Sequence, residues 1–482
     1  MTESYEHKWR AFTAIGVSFV TVVMSMTMVF VALAPIADDF DVTLRAVGWV
    51  VIVESLIISA VMLPLGRLAD AVGHKRVHLL GLTLFGVGAA LTGLSTTFGM
   101  LIGGRVVMAL GSSMTQAVGT GMVVAVFPPE ERGKAIGSQT TAVSIGAASG
   151  PILGGLLLQV LSWQALFLML LVPVVISLIA GSLWLDEEQV SSGAGAKGAR
   201  FDTWGAVVSA AAITAMVITV SNPFAVPWLS PATFGGAAIA AVAGVAFVRI
   251  EGRHEAPMLE LHLFSIPAFS YGIAARLAGF TAASFANLLL PIYLISVRGL
   301  STGAAGGVLF LTSLGMGLSA QVSGRLSDRR GARPLVIGGF VLAATTGLGF
   351  AHVELDTSLW LLSIAVLLAG VAMGTWNVPN NSSILGSVPQ NRLGVIGAFT
   401  NLTRTIGTVV GQAIASAVVV GAMVARGVDV PLSEIAETDG ASAAFMVGWR
   451  IDFVIVLVLS LLGLLMALRI NGPSRRPASR RL

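Results

Sequence analysis

Residues 66–76 read GRLADAVGHKR, placing Arg67, Asp70, His74, Lys75 and Arg76 within eleven positions of a chain that is only 11% charged. A looser copy, GRLSDRRGARP, occupies residues 324–334, 258 residues further on. Around both stretches the sequence is apolar almost end to end: 482 residues, 55% hydrophobic, with a mean hydropathy of +0.88. Soluble domains carry about 25% charged residues. Runs of roughly 20 apolar residues span a bilayer, and runs of that length recur throughout. The chain therefore reads as an all-α polytopic membrane protein in which the two charged knots punctuate the spans. A closed β-barrel, the other fold that satisfies its backbone in lipid, would alternate in short segments instead.

The apolar runs and their breakers predict about fourteen transmembrane helices, near 11–37, 46–65, 77–94, 99–127, 135–160, 164–184, 204–221, 231–249, 268–296, 303–323, 335–351, 359–385, 394–424 and 446–468. Loops on one side hold only Arg45, Arg298, Arg426 and Arg450 as bases, with Asp429, Glu434, Glu437 and Asp439. Loops on the other hold Arg67, Lys75, Arg76, Arg132, Lys134, Lys197, Arg200 and further arginines, and the tail adds Arg475, Arg476, Arg480 and Arg481. The positive-inside rule then places both termini in the cytoplasm, and the expected location is the inner (plasma) membrane. The same pattern accounts for the basic pI of about 9.8 without nucleic acid as a partner. The lipid bilayer is the expected partner. There are no cysteines, and the six histidines show no metal-ligand spacing, so no metal site is expected.

The charged knot is one of three ordered matches between the halves. PPEERG, containing Arg132, matches VPQNRLG, containing Arg392, and IGAASG at 145–150 matches IGTVVG at 406–411. Offsets of 258, 260 and 261 residues imply two related six-helix bundles, residues 1–185 and 263–482 with its basic tail. Residues 186–262 then form a cytoplasmic linker with two additional spans. Parallel repeats of this kind build rocking-bundle transporters, with the substrate site near the midplane between halves.

The sequence resembles the major facilitator superfamily, and within it the fourteen-span drug:proton antiporter branch of multidrug efflux type. Residues 66–76 fit that superfamily's loop motif G-x-L-x-D-x-x-G-x-[RK]-[RK], and GAASGPILGG at 146–155 fits the antiporter motif G-x-x-x-G-P-x-x-G-G. RVVMALGSS at 105–113 fits the span 4 motif R-x-x-Q-G-x-G in part, with Met108 and Ala109 in place of Gln and Gly. The resemblance implies a major-facilitator fold and export of small amphipathic compounds against protons by alternating access. It implies a monomer with no bound cofactor, powered by the proton gradient. No nucleotide-binding loop and no nucleophile–base arrangement is evident, so no enzyme is expected. Two alternatives stand beside this reading: a proton-coupled symporter or facilitator for a small nutrient, and a transport-inactive receptor or scaffold.

The resemblance makes Gly66, Arg67, Asp70, Gly73, Lys75 and Arg76 a gating loop, with Asp328 as its counterpart in the poorer copy. Bases alone would serve topology; Asp70 and the two glycines need another reason, and a carboxylate there can face a helix N-terminus or pair with Arg67 or Arg76. Gly146, Gly150 and Gly154 form a bare helical stripe beside Gly155, and Pro151 bends the helix. Glu54, twelve residues before Gly66, is expected near mid-membrane, where an acid is functional by default. It is the candidate proton carrier, with Arg105 of span 4 tied to coupling by the family; a permanently protonated or arginine-paired structural Glu54 is the alternative. The branch's first-span Asp and Asn are replaced by Ser25 and Phe30. Met26, Phe30, Trp49, Asn287, Trp376 and Asn380 are candidate cavity residues for adaptable apolar, aromatic or hydrogen-bonding contact. Arg276 and Arg404 either line the cavity or snorkel to an interface.

Overall fold

Among the described residues, fourteen helices of 19 to 32 residues are long and apolar enough to cross a membrane. They are α1 (Lys8–Asp39), α2 (Trp49–Val72), α3 (His74–Gly93), α4 (Phe98–Val126), α5 (Arg132–Leu157), α6 (Trp163–Trp184), α7 (Thr203–Ser221), α8 (Pro231–Glu251), α9 (Pro267–Val297), α10 (Thr302–Arg330), α11 (Arg333–Ala351), α12 (Leu359–Gly386), α13 (Leu393–Val424) and α14 (Ala441–Arg469). The computed structural model describes residues 8–190, 202–224, 226, 230–254, 257–389, 392–428, 430, 432, 435 and 438–470, without the side chains of 44 and 45. The tail arginines, Lys197, Arg200, Asp429, Glu434 and Glu437 lie outside the described residues, as does the Arg45 side chain.

Local chemistry sets the helix ends. Thr97, Asp202, Ser230 and Ser301 each accept a first-turn backbone N–H of the helix they precede, as capping residues do. The two charged knots differ from the expected loops. Gly66 does not end the second span: α2 continues to Val72 and turns only at Gly73, whose φ of +110° suits glycine. Its counterpart Gly331, with φ +86°, ends α10 in the same way. Most of each knot is therefore helix. The basic residues stay on the last turns because their side chains reach the interface from there.

The repeat is visible in the packing. In the first bundle α1 packs on α5, α2 and α3 on α4, and α6 on α1 and α3. In the second, α9 packs on α13, α10 and α11 on α12, and α14 on α9 and α11. The inserted α7 rests against α2 and α13, and α8 is held only by α7 among its stronger neighbours, with none of its apolar window buried.

The bundles meet through α5 against α10 and through α13 against α2 and α4. These contacts lie toward the end that carries both charged knots, here the basic end. Glycines make them possible. Gly133 and Gly324 face each other's backbones with no room for a side chain, and Gly137 lies against the Ala320 carbonyl. A Cβ on Gly66 would come within 2.6 Å of the Ala398 methyl. Small residues at such crossings let helix backbones approach in lipid, where no hydrophobic force drives helices together.

Gly133→Val or Gly324→Val is expected to part α5 from α10. Nitroxides at Glu130 and Arg329, both exposed, should report a longer separation than in the parent by double electron–electron resonance. An unchanged distance distribution would show that this close approach does not hold the bundles together. The absence of native cysteines lets such labels be placed without first removing any.

Candidate functional site

The first N–H groups of any helix lack intrahelical acceptors and carry the positive end of its dipole. At the basic end two of these helix starts, α5 and α13, are each met by an aspartate from the other bundle. Asp328 of α10 accepts from the Gly133 N–H at 2.7 Å and the Lys134 N–H at 2.8 Å. Asp70 of α2 abuts Gly394, in the first turn of α13, and lies 3.2 Å from His74 Nε2. Asp70 thus lies beside the first turn of α13 and pairs with His74, with no ion pair to Arg67 or Arg76 among the described residues; its second carboxylate oxygen is buried without a hydrogen-bond partner. Arg67 is buried and Arg76 exposed. Lys75 turns back to its own bundle, where its Nζ donates to the Leu185 carbonyl at 2.6 Å and that of Ser182 at 3.1 Å at the end of α6. Gly73 is pressed against the Glu187 carboxylate.

Above this seal lies a cavity of about 560 Å³ between the bundles. Its walls come from α1, α4 and α5 on one side and α9, α10, α12 and α13 on the other. Many lining residues are related by the repeat at a constant offset of 261 residues: Phe19 with Phe280, Gln116 with Asn377, Thr120 with Asn381, Thr140 with Asn401, and Pro151 with Gln412. A polar floor joins the bundles. Arg404 donates to Gln116 Oε1 at 3.1 Å, and Asn401 Nδ2 to the Gln116 carbonyl at 3.1 Å. Thr141 donates to the Gly317 carbonyl at 3.0 Å, and Gln321 to Ser138 at 3.1 Å. Among the described residues, the hydrogen bonds that cross between bundles lie at this floor or below it, toward the basic end.

Of the candidate cavity residues, Phe30, Arg276, Asn287 and Arg404 line this space, and both arginines point into it rather than to an interface. Four candidates lie elsewhere. Met26 packs toward the cluster around Ile58 and Met62, and Trp49 tilts against Phe224 with ring centroids 5.5 Å apart. Trp376 fills the space left by Gly279 and Gly339, stacks on Phe340, and borders an adjoining pocket within the second bundle that shares Ala283, Asn287 and Met373 with the cavity. Asn380 is buried, donating to the Gly272 carbonyl at 2.9 Å. In each case the residue type fitted a binding wall, but the helix phase turns it away.

The antiporter motif divides. Gly146, Gly150 and Gly154 receive α1 at Val20, Thr27 and Val31, Gly155 faces open space, and Pro151 borders the cavity. Glu54 and Arg105 do come together, as a buried ion pair between α2 and α4, with Arg105 Nε also donating to the Val50 carbonyl at 3.0 Å. Neither borders the cavity. Glu54 lies five residues, about 7.5 Å, from the start of α2 at Trp49.

Sequence reasoning missed Asp452, which is fully buried eleven residues into α14 with neither carboxylate oxygen hydrogen-bonded. It lies inside an expected span, so the signal was present. Gln116 and Asn401 were also recoverable, since the repeat offset links polar residues in the two halves; Asn377 and Asn381, within the polar run 376–381 read as a source of hydrogen bonds, do line the cavity.

Replacing Asp328 or Asp70 with Asn keeps the shape and removes the charge at a helix start. Each change should weaken the seal by about 1 kcal/mol, roughly a fivefold shift in the sealed population. The Glu130–Arg329 label pair measures it, and unchanged populations in both variants would remove these carboxylates from the seal.

Comparison with known proteins fits this architecture. The family model described as Major Facilitator Superfamily matches residues 14–412. The riboflavin transporter RibZ of Clostridioides difficile is 29% identical over 408 residues, covering 85% of this chain and 87% of RibZ. The tetracenomycin C resistance and export protein of Streptomyces glaucescens is 29% identical, covering 84% and 75% of the two chains. The multidrug resistance protein Stp of Mycobacterium tuberculosis is 28% identical, covering 84% and 74%. The crystal structure of the human organic anion transporter MFSD10 shares the fold, with a TM-score of 0.67 at 16% identity over 95% of this chain and 99% of that one. A paired-bundle fold, a cavity walled by both repeats, and a family match over most of the chain have one common explanation: the chain belongs to the major facilitator superfamily of transporters.

Proposed function

We propose that this transporter is a secondary active exporter of small amphipathic compounds, working by drug:proton antiport and alternating access. The observation that carries this reading is the cavity between the bundles, sealed by hydrogen bonds toward the basic end alone. With both termini in the cytoplasm of a plasma-membrane protein, the sealed end is the cytoplasmic one and the conformer faces outward. The tetracenomycin C export protein and the multidrug resistance protein Stp support export by their likeness. One polypeptide supplies every wall of the cavity, which fits a working monomer without a bound cofactor.

Proton coupling in this reading belongs to the Glu54–Arg105 pair. Ser25, at the position of the branch's first-span acid, is buried and donates to the Val22 carbonyl at 2.7 Å. Protonating Glu54 removes the charge that holds Arg105 and loosens α4 from α2. Each proton carried inward contributes about 1.4 kcal/mol per pH unit. RibZ favours a second reading, the carriage of a vitamin-like solute, which differs in substrate range and direction.

Efflux of a compound panel from a transporter-deficient strain, with and without an uncoupler, tests the main reading. Uncoupler-sensitive export of several unrelated amphipaths is expected; uptake of one solute would favour the nutrient carrier. In proteoliposomes Glu54→Gln should abolish pH-driven export while leaving counterflow. Full pH-driven export by that variant would remove Glu54 from coupling.

A further inference from the structure

Among the described residues, the cavity wall carries two guanidinium groups, Arg276 and Arg404, and no Asp, Glu, Lys or His. Both hydrogen-bond only to neutral partners. Arg276 donates to the Asn377 side-chain oxygen at 2.7 Å and the Thr400 carbonyl at 2.9 Å, with its flat face 4.9 Å from the Phe280 ring centre. Arg404 donates to Gln116, and its Nε is buried without an acceptor. The carboxylates buried within the bundles are committed elsewhere or set apart: Glu54 holds Arg105, and Asp452 is enclosed in α14 outside this wall.

A guanidinium stays charged across the physiological range, and charge withdrawn from water needs a counter-charge or full solvation to persist. Here the protein supplies neither neutraliser nor acid. The repeat sharpens the point. At the offset of 261 residues Arg276 corresponds to Ile15 and Arg404 to Val143, so the second bundle alone carries charge into the shared cavity. Elsewhere the wall is apolar and aromatic, with Phe19, Phe30 and Phe280 among the lining residues.

We propose that the cavity binds an organic anion, a flat apolar body bearing a carboxylate, sulfonate or phosphate that pairs with Arg276 and Arg404. This rests on the transport reading above and names its cargo class. The aromatic side chains take the body, and the two guanidiniums, which present planar forks of donors, take the anionic group.

Fluorescein and rhodamine 123 share a xanthene body and differ in the sign of their charge. Their binding to the solubilised full chain, followed by fluorescence anisotropy, separates charge from shape. Fluorescein is expected to bind at least about tenfold more tightly than rhodamine 123, and Arg276→Gln or Arg404→Gln to weaken fluorescein by at least about tenfold. Arg404→Lys, which keeps the charge and loses the fork of donors, should fall between the parent and Arg404→Gln. Thr408→Glu, one turn along the same wall from Arg404, should reverse the preference between the dyes. If Arg276→Gln does not fold, the parent comparison and the residue 404 and 408 variants still decide. Equal binding of the two dyes, no binding of fluorescein, or full fluorescein affinity in the Gln variants overturns the proposal. Fluorescein bound in the expected pattern but never carried across proteoliposomes would count against the exporter and still support the anion site.

Discussion

Two helix starts without hydrogen-bond acceptors govern how the halves of this molecule meet. The first turns of α5 and α13 emerge where the chain returns into the membrane from the basic side. Each finds an aspartate, Asp328 or Asp70, at the end of a helix in the opposite bundle. Because the halves are repeats, the arrangement is reciprocal: α10 closes on α5 as α2 closes on α13. The Asp328 hydrogen bonds, the contact of Asp70 with Gly394 and the polar floor above them all lie at one end, and the glycines at 66, 133, 324 and 394 let backbone and carboxylate approach there. The cavity exists because the bundles touch there and diverge beyond.

Most of the fold was legible from apolar run length, since lipid offers the backbone no partner but itself. The charged knots were harder. A cluster such as Arg67, Asp70 and Lys75 reads as loop because charge interrupts hydropathy, yet α2 keeps its helix until Gly73 and α10 until Gly331. What ends those helices is a backbone conformation, and hydropathy does not record it.

The site was legible in kind and less so in detail. Glu54 and Arg105 were singled out because ionisable groups within spans are rare, and the structure joins them; their exclusion from the cavity depends on helix phase, which single-sequence patterns leave open when most faces are apolar. Trp376 and Asn380 were misplaced for that reason. Asp452 lies within an identified span, eleven residues inside an apolar helix, and carries the same signal as Glu54, an embedded acid. The better guide was the repeat itself: applied residue by residue, the 261-residue offset brings Gln116, Asn377, Thr120 and Asn381 to one cavity. Symmetry identifies a shared wall more surely than residue type does.

The hydrogen bond from Arg404 to Gln116 has one more consequence. Its donor faces the cavity and its acceptor belongs to the other bundle. Any occupant that draws this guanidinium toward itself competes with the tie across the floor. By linkage, whatever strengthens the tie must weaken the hold on that occupant to the same degree. A vacant carrier is thus latched by a group that a loaded one has engaged, so leakage through the empty protein and release of its load are opposed by a single side chain.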